Sequence, residues 1–306
     1  MKILVTGGCG FIGSHIVDAY IAKGHEVVVI DDLSTGDIGN LNPEAKFYEM
    51  DVNGDLQDVF KREKFEVINH HAAQINVRTS VDDPLFDARV NILGTINLLS
   101  LAVEQGVKRF IYASSGGAVY GEPEKLPASE NTPLSPLSPY GVSKVAAEKY
   151  ILAYAHLFAL DSFILRYSNV FGPRQIAKSE AGVISIFIEH ILKGEPCIVY
   201  GDGKQTRDYV FVGDVVEANI LALDGSPNII NIGTGIETSV NDLITIFSSI
   251  LGRNAEHQHV DPRPGEVLRS VLDCQKASLE IGWRPEVVLK DGIIRTLEYF
   301  KKIPES

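Results

Sequence analysis

The chain has 306 residues, and 28 Lys and Arg stand against 40 Asp and Glu, a formal charge of −12. A composition of 45% hydrophobic and 22% charged residues is that of a globular protein and excludes disorder, while the length suggests about two domains. The acidic excess makes nucleic acid and anionic membranes poor partners, and three scattered cysteines (Cys9, Cys197, Cys274) make neither a disulfide framework nor a zinc site.

The opening MKILVTGG enters a strand-like run with no secretory h-region, and no run of 18 apolar residues follows. The expectation is a cytoplasmic protein with no membrane partner. In chain order, strands are predicted at 2–6, 26–31, 46–51, 67–71, 109–113 and 163–167, with helices near 11–23, 55–63, 85–105 and 141–159. This alternation implies an α/β fold with a Rossmann-type, doubly wound parallel sheet. It fades near residue 168. A loop is expected at 172–181, a helix at 183–193 and a strand at 197–200. Helices follow near 213–223, 240–251, 274–281 and 291–301, with a Pro-rich loop at 261–266. The expected division is a sheet domain over 1–168, to which parts of 205–232 return, and a smaller C-terminal α/β domain over 169–306.

Segments 92–103 and 145–160 are apolar on almost every face. A helix of that kind is buried on more than one side. One side faces the sheet, and the other suits a second copy, so a homodimer is expected through helices near 91–105 and 141–159.

Between the first strand and first helix runs Thr6-Gly7-Gly8-Cys9-Gly10-Phe11-Ile12-Gly13. Gly7 permits a tight turn, Gly10 lets backbone approach a pyrophosphate, and Gly13 lets helix and strand pack closely. Phe11 and Ile12 open the helix, whose first N–H groups and dipole attract an anion. Asp31 follows Gly13 by 18 residues and can accept hydrogen bonds from an adenosine ribose. Its charge, that of Asp32 and the lack of Arg or Lys over 32–45 favour NAD over NADP. Asp51 and Val52 end the next strand and are placed beside the adenine, or Asp51 caps its own loop. Cys9 is either a thiol activated by the helix start or a small filler.

Ser138-Pro139-Tyr140-Gly141-Val142-Ser143-Lys144 puts Tyr140 and Lys144 at i and i+4 on one helix face. A nearby ammonium favours the phenolate, so Tyr140 is a candidate acid/base for a substrate hydroxyl. Lys144 is placed to bind the nicotinamide ribose as well. His70-His71 and His257, His259 and Asp261 invite a metal reading. Adjacent strand histidines point to opposite faces, and no metal is assigned.

With these motifs the chain resembles the extended short-chain dehydrogenase/reductase family, in particular its UDP-glucose (UDP-galactose) 4-epimerase branch, over essentially its whole length. The resemblance rests on TGGCGFIGSH, IDDLSTG, HHAAQINVRTS, NILGT, SSGGAVYG and SPYGVSK, then on LRYSNVFGPRQ, GDGKQTRDYVFVGDV, NIGTG and RPGE. It implies an NAD-binding first domain, a nucleotide-sugar-binding second domain and a UDP-sugar substrate. Hydride would leave C4 for NAD and return to the other face of a transient 4-keto sugar. Ala72, Ala73 and Asn91 would line the NAD diphosphate and ribose, with Ser114 nearby and Tyr167 by the nicotinamide. Asn169 and Val183 would lie by the sugar diphosphate, and Tyr200 would stack on the uracil. Arg207 and Arg263 would bind the diphosphate, although Arg207 could instead pair with Asp208. Glu266 would hold the uridine ribose.

One departure stands out. The family's Ser or Thr four residues before the tyrosine of VYG is Gly116 here, so Ser115, Ser114 or a water would supply the hydroxyl. The dehydratase Asp-Glu pair and the decarboxylase Glu are replaced by Gly117 and Ala118. That leaves epimerisation, with a UDP-uronate epimerase or a 4-keto-sugar reductase as the alternative. The resemblance puts Ser270 beside the sugar 2-substituent, where a small residue admits UDP-N-acetylhexosamines.

Overall fold

The structure, a computed structural model, describes residues 1–176, 182–262 and 267–302. The first half alternates strands and helices, apart from one pair of consecutive strands and two runs of successive helices. β1 (Lys2–Thr6), α1 (Phe11–Ala22), β2 (Glu26–Asp31), β3 (Lys46–Glu49), α2 (Gln57–Glu63) and β4 (Val67–His70) come first. Next are α3 (Val77–Asp82), α4 (Pro84–Ala88), a π-helical turn at Arg89–Leu93 and α5 (Gly94–Glu104). β5 (Arg109–Ser115), α6 (Gly116–Val119), α7 (Pro139–Phe158) and β6 (Asp161–Tyr167) complete it. The second half holds β7 (Asn169–Phe171), α8 (Val183–Lys193), β8 (Cys197–Tyr200), β9 (Thr206–Arg207), β10 (Tyr209–Phe211), α9 (Val212–Asp224) and β11 (Ile229–Ile232). β12 (Thr238–Ser239), α10 (Val240–Leu251), β13 (His257–Val260), β14 (Arg269–Ser270), α11 (Gln275–Glu280) and α12 (Leu289–Lys302) follow.

The main sheet has seven parallel strands in the order β11-β6-β5-β4-β1-β2-β3. The order reverses between β1 and β4, which opens a crevice at the C-terminal strand ends. Alternating side chains fill both faces: Ile3, Val5, Val27 and Val29 pack with α1 and α9, while Leu4, Val28, Ile30 and Ile68 pack with α5 and α7. A second core of Phe171, Phe187, Val199, Phe211, Leu243 and Phe247 lies among the later elements.

Most predicted elements appear within two residues of their expected ends. β5 runs two residues past 113, because Ser114 and Ser115 stay in register with Arg166 and Tyr167. The short strands β7, β9, β10, β12, β13 and β14 carried no alternation signal. No uninterrupted apolar run of 18 occurs, because Asp87, Arg89, Asn91 and Asn97 break the longest candidate. Pro84–Glu104 is nonetheless one helical run of 21 residues containing an 18-residue window of mean hydropathy 1.2, long and apolar enough to cross a membrane by length and composition. Here its inner side, with Asp87, Asn91, Thr95, Leu98 and Leu99, is buried.

α7 is tied to the sheet by a buried ion pair. Arg166 on β6 donates to Glu148 on α7 through Nε at 2.9 Å and Nη2 at 2.6 Å. Ser114 Oγ donates to the same carboxylate at 2.6 Å, and Arg166 Nη1 donates to Tyr120 Oη at 2.8 Å. Tyr120 donates in turn to Asn231 Oδ1 at 2.8 Å. Burial works against the Arg166 charge, and the Glu148 hydrogen bonds outweigh it, so the guanidinium stays charged. Removing one partner strands the other in a dry interior. Glu148→Ala is therefore expected to lower the unfolding free energy by about 3–5 kcal/mol. Urea denaturation measures this, and a loss below about 1 kcal/mol, as for a surface pair, would refute it.

Candidate active site

The glycine loop makes a cradle at the crevice. Gly7 has φ +68° and donates its N–H to the Ile30 carbonyl at 2.9 Å. A β-carbon there would lie 2.7 Å from the nitrogen of Ala72, and one at Gly13 would fall on the Gly7 carbonyl oxygen. The first bond of α1 runs from Ser14 N–H to the Gly10 carbonyl at 3.1 Å. The N–H groups of Phe11, Ile12 and Gly13 precede it, and Gly10 adds no side-chain cap. Small residues, a helix N-terminus and close backbone suit a pyrophosphate.

Asp31, at the end of β2, is 6% exposed. Its Oδ2 accepts from Cys9 N–H and its Oδ1 from Leu33 N–H, both at 2.9 Å. Burial raises its pKa, and the two N–H groups oppose that. Each oxygen keeps lone-pair capacity for a ribose hydroxyl. Asp32 is exposed and accepts from Ser34 N–H at 3.0 Å. Asp51 accepts from Asn53 N–H at 2.8 Å, so it does cap its own loop, while Val52 is buried beside it. Burial, with Asp31 adding to it, pushes the Cys9 thiol up to about 12. Cys9 is a filler and not an activated thiol.

Three expected contact residues also hydrogen-bond within the protein. Asn91, in the π-helical turn, accepts from Gln74 N–H at 3.0 Å and donates to Gln74 O at 2.8 Å and Asp87 Oδ1 at 3.0 Å. Both ends of its amide hold the segment that carries Ala72 and Ala73. Ser114 is 3% exposed and spends its hydroxyl on Glu148. Tyr167 stacks on His71, and its hydroxyl accepts from Asn219 Nδ2 at 2.9 Å. Burial, aided by the Lys144 charge, pushes His71 down to about 3, so the ring is neutral.

Tyr140 and Lys144 stand at the start of α7. Ser138 caps that helix by accepting from Gly141 N–H at 3.1 Å. A β-carbon at Gly141 would lie 2.8 Å from the Ala118 carbonyl oxygen, so α7 begins against the α6 turn. Lys144 Nζ donates to the Ala113 carbonyl at 2.9 Å and sits 5.8 Å from the Tyr140 ring centre. Ser115, half-buried at the end of β5, is the N-cap of α6 but makes no capping bond with its side chain.

The substrate-side residues arrive from the later elements. Asn169 Oδ1 would lie 3.7 Å from a β-carbon at Gly117, so it faces the α6 turn. Val183 is the first residue of α8, and Tyr200 ends β8. Arg207 on β9 is in parallel register with Ser270 on β14. Asp208 does not pair with Arg207. It is buried and accepts from Thr234, Gly235 and Leu272 N–H groups and from the Thr234 hydroxyl. Arg263 and Glu266 lie outside the described residues. Among the described residues no three His, Cys, Asp or Glu side chains converge on a metal position. His70 is held between Thr6 Oγ1 at 2.7 Å and Thr95 Oγ1 at 3.1 Å.

Sequence reasoning missed the supports: Asp87, Glu148, Arg166, Tyr120 and Asn231. The signal was a charge inside an otherwise apolar run, as with Glu148 four residues after Lys144 and Arg166 within FILRY.

Burial pushes Lys144 down from its ordinary 10.5 to about 8, against the pull of Asp87 and Glu148. Between those values the unfolded chain holds the extra proton, so stability rises with pH across that window. Lys144→Met removes the dependence. Going from pH 7 to pH 9.5, the wild type is expected to gain about 2 kcal/mol relative to this variant, measured by denaturation at both pH values. Parallel curves would show a lysine with an ordinary pKa.

The NAD dependent epimerase/dehydratase family matches residues 3–233. A putative UDP-glucose 4-epimerase of Methanocaldococcus jannaschii is 51% identical over 300 residues, covering 98% of each chain. The structure of a UDP-glucose 4-epimerase of Thermotoga maritima with UDP-glucose superimposes with a TM-score of 0.97 at 45% identity over 99% of both chains. A UDP-N-acetylglucosamine 4-epimerase of Methanobrevibacter ruminantium, bound to UDP-N-acetylmuramic acid, gives 0.93 at 36% identity over 98% of both. With the glycine cradle, Asp31 and the Tyr140–Lys144 pair in place, the chain belongs to the NAD dependent epimerase/dehydratase family.

Proposed function

We propose that the protein is an NAD-dependent 4-epimerase of UDP-hexoses that also accepts UDP-N-acetylhexosamines. The observation that carries this is Tyr140 beside Lys144, next to an α6 turn whose Gly117 and Ala118 offer no acid for dehydration or decarboxylation. Bound NAD supplies the oxidant, which takes hydride from C4 and gives it back. Tyr140 holds the proton of the sugar 4-hydroxyl, removing it as the ketone forms and returning it as the alcohol re-forms. Lys144 stabilises the phenolate, and Ser115 offers a hydroxyl to the same oxygen. Both faces of the keto sugar must reach the same atom, so the nucleotide is gripped and the sugar is left free to turn. Arg207, Arg263, Glu266, Tyr200, Asn169 and Val183 supply the grip, Arg being suited to diphosphate. Residues 1–168, with part of 205–232, form the NAD domain, and 169–306 form the nucleotide-sugar domain. Ser270 leaves space for an N-acetyl group.

Incubating the protein as isolated with UDP-galactose or UDP-GlcNAc, without added cofactor, tests this. UDP-glucose and UDP-GalNAc are the expected products. Net consumption of reduced cofactor would make it a reductase, and a UDP-GlcNAc rate under a hundredth of the hexose rate would exclude N-acetyl sugars. Tyr140→Phe is expected to lower kcat by about 10²–10⁴-fold with NAD still bound.

We further infer a cytoplasmic homodimer with no membrane or nucleic-acid partner. Ser100 and Tyr154 meet at 2.9 Å, which sets α5 and α7 side by side. Around them Leu93, Tyr150, Leu157 and Phe158 are exposed. Exposed apolar side chains on two adjacent helices suit an isologous contact with a second copy. Leu157→Glu is expected to give a monomer in light scattering, and an unchanged mass would place the contact elsewhere.

A further inference from the structure

At Gly116, where a hydroxyl was expected, the space a side chain would need is filled by another residue. A β-carbon on Gly116 would lie 2.6 Å and 2.9 Å from the two δ-methyls of Leu272. Leu272 is 1% exposed and packs with Val119, Tyr120 and Ala128. Its segment is stitched on both sides. Ala128 N–H donates to Val271 O at 2.9 Å, and Asp273 N–H donates to Ala128 O at 2.8 Å. Leu272 N–H donates to Asp208 Oδ2 at 3.3 Å. Two residues earlier, Ser270 pairs with Arg207.

We propose that Leu272 is a positioning residue: seated on Gly116, it locks the strap 267–273 to the catalytic turn and sets the place of Ser270 and Arg207. The inference about substrate affinity rests on the nucleotide-sugar reading above. The lock itself does not. Leucine and glycine here are a complementary pair. A larger residue at 116 has to push the strap away, and a smaller one at 272 leaves a void beside the turn.

The test uses Gly116→Ser, Leu272→Ala and the double variant of the full chain. Amide hydrogen exchange at Ala128, Leu272 and Asp273 reads the strap directly, UDP calorimetry reads the site, and KM and kcat for UDP-galactose read catalysis. Gly116→Ser is expected to speed strap exchange and weaken UDP binding, each by about tenfold, through overpacking, with NAD content unchanged. KM should rise more than kcat falls. The double variant should recover strap protection and UDP affinity to within about twofold of wild type, the coupling expected of residues in contact. If Gly116→Ser does not fold, a folded double variant is itself the rescue. Wild-type behaviour in Gly116→Ser, or a double variant no better than the single, would overturn the lock. A wild-type protein that binds no UDP would refute the nucleotide-sugar reading and leave the exchange result to decide the lock.

Discussion

A carboxylate and a guanidinium taken out of water recover their lost hydration only when their remaining donors and acceptors are used as well. Glu148 and Arg166 meet that condition, because all three guanidinium nitrogens and both carboxylate oxygens have partners. The pair joins α7 to β6, and through Ser114 and Tyr120 it reaches β5 and α6. Glu148 lies one turn beyond Lys144, so the same contact fixes the face that presents Tyr140. Asn231 extends the network to the carbonyls of Ala128 and Asp273. α7, the α6 turn and the segment around Ala128 and Asp273 thus share one buried polar framework.

The site itself is built at a cost to stability. Lys144 is 4% exposed, and burial favours its neutral form. Asp87 and Glu148 restore part of the charged form, which is the form that steadies a phenolate. Neutral His71 adds no competing charge. Asp31 follows a similar rule. Burial raises its pKa, and two backbone N–H groups oppose that rise and fix its orientation. The acidic excess of the chain therefore does not describe the crevice, where a helix start and a buried ammonium set the local field.

Gly116 shows how a missing functional group can be read. Against the family pattern it looks like a lost hydroxyl. In the fold it is the floor under Leu272, and Ser115 stands next to it at the end of β5. The absence belongs to a packing arrangement that ties the strap to the turn. Gly117 and Ala118 are a different case, since their smallness leaves the turn without an acid and narrows the chemistry.

Much of the first half was legible from residue types and spacing. Short continuous apolar runs alternating with helices determine a parallel sheet covered on both faces, the glycines after β1 and Asp31 after β2 determine a dinucleotide cradle, and Tyr140 and Lys144 share a face because four residues make about one turn. These are local relations, set by backbone geometry over a few residues. Asn91, Ser114 and Tyr167 were read as contact residues through the family resemblance, not from local spacing. Their partners Gln74, Glu148 and Asn219 come from other segments, and only tertiary packing decided which groups these side chains bond within the protein. The short strands from β7 to β14 likewise exist through pairing with distant segments, not through propensity. The seat of Leu272 on Gly116 spans 156 residues of chain, and no local rule connects them. Sequence determined which groups are available, and the fold decided which of them remain free to act.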